Sequence, residues 1–264
     1  MGARAINRVN LSVCLEMNDM LVQPQQGIEK AGPQVPWQLR DLGLAGAWVV
    51  AAGILMIIVL GIVFAAAGDI SDDAAIAVAL GATLALEAAL LAAAAWFSVR
   101  RYSCGWRALG FRPAVRGGWW VPVVVVLAAY FTLGVYFLIV ELVGLGELVP
   151  ESTLPEDFFD SPAILPLVGV LAILAAPIAE ETFFRGFLFP ALRVRWGTFW
   201  AALASGLLFA LLHFNVGSVV PFTVIGMLLA WAYVFSGSLW TAIGAHFAFN
   251  AIGFVAGVVS GGGS

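Results

Sequence analysis

Between Asp41 and Asp69 the chain reads LGLAGAWVVAAGILMIIVLGIVFAAAG, 27 residues from Leu42 to Gly68 without a charged side chain. An α-helix rises 1.5 Å per residue and needs about 20 apolar residues to cross ~30 Å of hydrocarbon. The stretch therefore predicts a membrane-spanning helix, and the pattern recurs downstream. Asp73 and Arg100 bracket an Ala-rich stretch interrupted only by Glu87, and Arg116 and Glu141 bracket a third span. After Pro162, 17 uncharged residues (Ala163 to Ala179) lead into Glu180, Glu181 and Arg185. Beyond Arg195 no Asp, Glu, Lys or Arg occurs through Ser264, and these 69 residues are too many for two crossings. The turn signals Asn215-Val216-Gly217-Ser218 and Ser236-Gly237-Ser238 divide them into three. The reading is all-α: a polytopic helical membrane protein of about seven transmembrane helices.

Composition agrees. With 62% hydrophobic and 11% charged residues in 264, the chain is neither a water-soluble globule nor disordered. A net charge of −4 without a basic run argues against nucleic acid as a partner, and Cys14 and Cys104 show no metal-ligand spacing. Cytoplasmic loops retain Lys and Arg. Arg4, Arg8, Lys30 and Arg40 precede the first span, Arg100, Arg101, Arg107, Arg112 and Arg116 follow the second, and Arg193 and Arg195 follow the fourth. The intervening segments hold Asp69, Asp72, Asp73, Glu147, Glu151, Glu156, Asp157 and Asp160 and no basic residue. The expected topology has a cytoplasmic N-terminus and, with seven spans, the C-terminus outside, in the cell (plasma) membrane. Residues 1–40 lack an apolar signal-peptide core and are expected to form a polar cytoplasmic tail. Residues 41–143 would supply three scaffold helices, 162–259 a core of four helices, and 260–264 a flexible Gly/Ser tail.

A charge at mid-bilayer costs about 2.5–3.5 kcal/mol on insertion scales, so each needs a reason. Inside the spans lie Glu87, Glu180, Glu181, Arg185 and the only two histidines, His213 and His246. Glu181 and Arg185, four apart, can neutralise one another, whereas Glu180 points ~100° away and needs another partner. Pro177 should free the Ile173 carbonyl and kink the helix one turn before the acids. Phe209 shares a helix face with His213, and His246 shares one with Asn250. Phe209 itself offers packing or cavity shaping but no acid or base. Counting along straight helices, Glu180 lies ~18 Å from Leu192 and His246 ~12 Å from Ser238, but His213 ~23 Å from Thr198. The three meet only if helices tilt or one starts deeper. Glu87 is expected to be protonated or hydrogen-bonded toward the bundle interior.

Three motifs follow in order: Glu180-Glu181-Thr182-Phe183-Phe184-Arg185 (EExxxR), Phe209 to His213 (FxxxH) and His246 to Asn250 (HxxxN). Together they resemble the CPBP intramembrane protease family, which contains the CAAX prenyl endopeptidases and the Abi proteins. The resemblance covers roughly the last 100 residues and makes 162–259 a CPBP-like catalytic core. It implies an intramembrane endopeptidase in which Glu180 with His213 activates a water, His246 and Asn250 form the oxyanion site, and Glu181 and Arg185 orient it. Its partners would be membrane lipid and a peptide or protein substrate in or at the membrane. No cofactor is favoured. Zinc, held by Glu180, His213 and His246, is the alternative, but HExxH is lacking and few residues remain to support the ligands. Two other functions fit less of the sequence: a non-catalytic immunity or scaffold protein of the same family, and a proton-coupled transporter, against which the lack of evident repeats weighs.

Overall fold

A computed structural model describes residues 35–68, 70–150 and 162–261. Most of the expected 1–40 tail, and residues 262–264, lie outside the described residues. Six helices among the described residues are long and apolar enough to cross a membrane: α1 (Leu39–Ala67), α2 (Asp72–Arg100), α3 (Trp120–Leu142), α4 (Leu165–Leu211), α5 (Val219–Ser236) and α6 (Leu239–Gly261). The protein is an all-α, multi-pass membrane protein. Local sequence sets the helix starts. Gln38 and Asp41 cap α1 reciprocally, with the Gln38 N–H donating to Asp41 Oδ2 at 2.8 Å, and the Ser71 hydroxyl accepts from the Ala74 N–H at the start of α2.

The expected count of about seven meets six such helices because α4 holds two of the expected stretches in 47 residues. Gly197, at φ 75° and ψ 173°, breaks it. Ser205 Oγ donates to the Phe184 carbonyl at 3.4 Å, across 21 residues that would span ~31 Å along a straight helix. The element is therefore a hairpin of two arms, 165–196 and 198–211. A φ in the positive region is open to glycine without the Cβ penalty, which is why the reversal falls there.

The two ends of the bundle differ in charge. At one end Arg101 pairs with Asp41 at 3.3 Å while Tyr102 donates to the other Asp41 oxygen at 2.6 Å, tying α2 to the start of α1. The loop after α2 also docks on the α5–α6 turn: Arg112 Nε donates to Gly237 O at 2.6 Å, and the Leu239 N–H donates to Gly110 O at 2.8 Å. Arg193 and Arg195 immediately precede the hairpin reversal at this same end, where Phe189 of the first arm meets Tyr233 of α5. Every described basic residue except Arg185 lies here. The opposite end carries Asp72, Asp73, Glu141 and Glu147, with the 148–149 backbone packed on Gly217.

The largest buried core fills the arginine-rich half, from Trp37, Leu90 and Leu109 to the Phe183–Phe189 run and Leu239. By contrast α1 buries only Asp41, Ala45 and Val49, leaving Ile54, Leu55, Ile57, Ile58 and Ile62 exposed. A helix apolar all round yet unburied fits a lipid environment.

Close approach of the second α4 arm and α5 depends on two glycines. A Cβ on Gly226 would lie 2.6 Å from Gly206 Cα and 3.2 Å from Arg185 Nη2, whereas one on Gly244 would meet nothing within 4 Å. Gly226→Ala is expected to destabilise the detergent-solubilised protein by about 1–3 kcal/mol through overpacking. Gly244→Ala should leave the melting temperature near that of the unsubstituted chain, and thermal denaturation of the two variants checks this.

Candidate active site

The acids sit on a short α-helical segment, Ala176–Glu181, between two π-helical turns, Leu171–Ala175 and Thr182–Leu188. Pro177 explains the first. In the π register the Ala176 N–H bonds Leu171 O, so the next acceptor, Ala172 O, would look to residue 177, a proline without an N–H. The backbone thus absorbs Pro177 as a wider turn, and the carbonyl left over is that of Ala172 rather than Ile173. Asn250 Nδ2 donates to it at 2.8 Å. Asn250 therefore ties α6 to the first arm of α4, and one of its two amide hydrogens is already engaged.

One turn on, the acids diverge. Glu181 is fully buried, and its Oε1 receives both Arg185 Nη1 at 2.6 Å and His246 Nδ1 at 2.9 Å. Arg185, also fully buried, donates from Nη2 to Gly226 O at 3.2 Å and lies over the Phe209 ring, 4.6 Å from its centroid. The expected Glu181–Arg185 pair forms, and it also anchors a histidine. Ionised carboxylates only accept hydrogen bonds, so His246 presents Nδ1–H to Glu181 and turns Nε2 toward Glu180, 3.7 Å from Oε2. Among the described residues, buried side-chain atoms without a hydrogen-bond partner include Glu180 Oε2, Glu181 Oε2, Glu87 Oε2 and Arg185 Nε. Three of these belong to this one cluster.

His213 lies just past the end of the second α4 arm, where helix carbonyls lose their intrahelical donors. Its Nδ1 meets Phe209 O at 2.9 Å, and since a carbonyl only accepts, Nδ1 carries a proton there and Nε2 is the nitrogen left for other partners. Its ring packs 4.8 Å from both Phe209 and Phe222. Folding back onto the helix end resolves the depth mismatch of the straight-helix count. Phe209 does more than pack: it touches Arg185, His213 and, at 5.7 Å, His246.

Glu180, Phe209, His213, His246 and Asn250 all line one cavity of about 550 Å³. Glu181 and Arg185 stand behind it, buried. Glu87 and Tyr130, from α2 and α3, line the same cavity. The only sequence signal for Glu87 was the cost of an acid in an apolar span, and it matches no motif. Tyr130 gave none; its hydroxyl donates to Phe249 O at 3.0 Å.

For zinc the donor set does not fit. Among the described residues no three His, Cys, Asp or Glu side chains converge as a metal site.

The family model described as Type II CAAX prenyl endopeptidase Rce1-like matches residues 162–252. The chain contains a CPBP-type CAAX prenyl endopeptidase domain. All three motifs fall within this endopeptidase domain, whereas Glu87 and Tyr130 come from outside it. A Bacillus subtilis (strain 168) protein named "Putative membrane peptidase YdiL" is 29% identical over 107 residues, which is 40% of this chain and 43% of that protein. The chain thus matches less than half the length of this relative. No solved structure matches.

If Asn250 substitutes for the donor that Pro177 lacks, the two residues are coupled. Asn250→Ala should cost about 1–3 kcal/mol by orphaning a buried carbonyl, and less in a Pro177→Ala background, where the restored N–H reaches Ala172 O. Denaturation of both single variants and the double variant measures the coupling. Equal costs in the two backgrounds would refute it.

Proposed function

We propose that the chain is an intramembrane endopeptidase that hydrolyses a peptide bond of a membrane-associated protein or peptide with a glutamate- and histidine-activated water. The carrying observation is the cluster at the cavity floor: Glu180 Oε2 without a hydrogen-bond partner, 3.7 Å from the Nε2 of a histidine whose other nitrogen is held by Glu181. Peptide hydrolysis needs a base for water, donors for the oxyanion and a proton for the leaving amine. In this reading Glu180 takes the proton as the water oxygen attacks the carbonyl carbon. It then delivers that proton to the amine nitrogen as the C–N bond breaks. The His213 Nε2 lone pair holds the second hydrogen of the water. His246, oriented by Glu181 behind it, donates Nε2–H to the oxyanion, and Asn250 adds its free amide hydrogen. Arg185 and Phe209 orient Glu181 and the two imidazoles. No step uses a metal.

The same reading assigns residues 162–259 to the catalytic core, 41–143 to the supporting helices and 1–40 to a cytoplasmic tail. Counting the α4 hairpin as two crossings gives seven, with the arginine-rich end in the cytoplasm and the chain in the plasma membrane. The clustering of the described arginines at one end supports this orientation.

Glu180→Gln removes the base at almost constant shape and is expected to lower cleavage by about 10²–10⁴-fold while the protein stays folded. Quantitative proteomics of membranes holding the unsubstituted chain or the Glu180→Gln variant should show one precursor accumulating with the variant. Identical membrane proteomes would refute the hydrolytic reading. Activity of the purified protein on that precursor should persist in chelator; loss on chelation and recovery with zinc would refute the metal-free mechanism.

A further inference from the structure

The cavity is lopsided along the bundle axis. On α2 it is lined by Leu80, Thr83 and Glu87 and by nothing beyond, toward Arg100. On the first arm of α4 its lining stops at Glu180, on α5 it ends at Ile225, and on α6 it begins only at His246. Each of these limits lies at the level of the acid and histidine cluster. From there the lining continues through Phe137, Val168 and Phe254 to Gly257, Val149 and Pro150, at the end that carries no described basic residue. Below the cluster the described residues are close-packed. Phe184, Phe187, Phe189, Leu109 and Leu239, all almost fully buried, fill the half nearest the arginines. The Glu181–Arg185 pair caps this packed floor with zero exposure.

Resting on the hydrolytic reading and orientation given above, we infer that the site takes its substrate from the non-cytoplasmic side: an apolar segment of an already translocated protein or peptide, not a cytoplasmic lipidated tail. The geometry fits that class. The walls along the route from Val149 to Glu180 are mainly aliphatic and aromatic, and apart from the two histidines of the site the lining holds no Lys or Arg that would bind a charged tail. A substrate presented at the arginine-rich face would have to pass through the Phe183–Phe189 core to reach Glu180. Interiors packed like this one leave no channel without repacking.

Cysteine accessibility tests the side of entry without knowing the substrate. Val149→Cys marks the cavity mouth, Ala176→Cys the wall one turn from Glu180, and Arg116→Cys the opposite end. Intact cells are treated with a membrane-impermeant sulfonated maleimide, and labelling is measured over that of the unsubstituted chain. The expected result is labelling of Val149→Cys and Ala176→Cys in intact cells, and of Arg116→Cys only after permeabilisation. Labelling of Arg116→Cys in intact cells, or of Ala176→Cys only after permeabilisation, overturns the inference. Cleavage sites of the precursor that accumulates with Glu180→Gln give a second readout. Sites in translocated segments support the inference, and sites in cytoplasmic segments overturn it while leaving the hydrolytic reading intact. Absence of any such precursor removes the hydrolytic reading itself.

Discussion

A guanidinium with no solvent exposure inside a membrane-spanning helix has to be neutralised within the protein, and Arg185 is neutralised at Glu181 Oε1. Removing one partner of such a buried pair costs about 3–5 kcal/mol because the other charge is left unscreened. Around this constraint the neighbouring helices take their places. Gly206 and Gly226 bring two backbones close enough for Arg185 to reach Gly226 O, and Phe209 lays its ring against the cation. His246 arrives from α6 at the same oxygen. One carboxylate oxygen thus sets the position of an arginine, a histidine and, through that histidine, the environment of Glu180.

A second constraint is backbone supply. In lipid every N–H and C=O must find a partner within the protein. Pro177 withholds one N–H, the chain widens into a π turn, and the orphaned Ala172 carbonyl is taken up by Asn250. The end of the second α4 arm offers another free carbonyl, at Phe209, to which His213 donates from Nδ1. Two of the motif side chains are thereby fixed by carbonyls that regular helix could not satisfy. This couples the irregular backbone to the chemistry directly: the same defects that local helix geometry would penalise hold the groups lining the cavity.

Much of this was legible in the residues. Uncharged stretches between Asp41 and Asp69, or Arg116 and Glu141, mark α1 and α3 because the period of charge is set by bilayer thickness. The Glu181–Arg185 pair follows from spacing alone. The reversal at Gly197 was legible only indirectly, as a helical stretch too long for one crossing, since nothing local distinguishes a kink from a turn until Ser205 meets Phe184. That His246 lies beside Glu180 and Glu181 is a tertiary fact: residues 65 apart carry no mark of their contact. Glu87 belongs to the same class. Its presence in an apolar span is visible, but the cavity that it shares with Glu180 exists only after α2 packs on α4. The sidedness of that cavity is likewise a property of packing, because it depends on which half of the bundle the phenylalanines fill.

The account turns on where two protons sit, and the chain's two histidines make that directly measurable. Nitrogen NMR of the detergent-solubilised protein labelled with ¹⁵N-histidine gives signals from His213 and His246 alone, and the Glu181→Gln variant identifies which belongs to His246. The predicted result is a proton on Nδ1 of both rings, with the His246 signals moving in the variant and those of His213 staying in place. A His246 Nδ1 without a proton, or His246 signals indifferent to the loss of the Glu181 charge, would contradict the shared carboxylate on which the site is built.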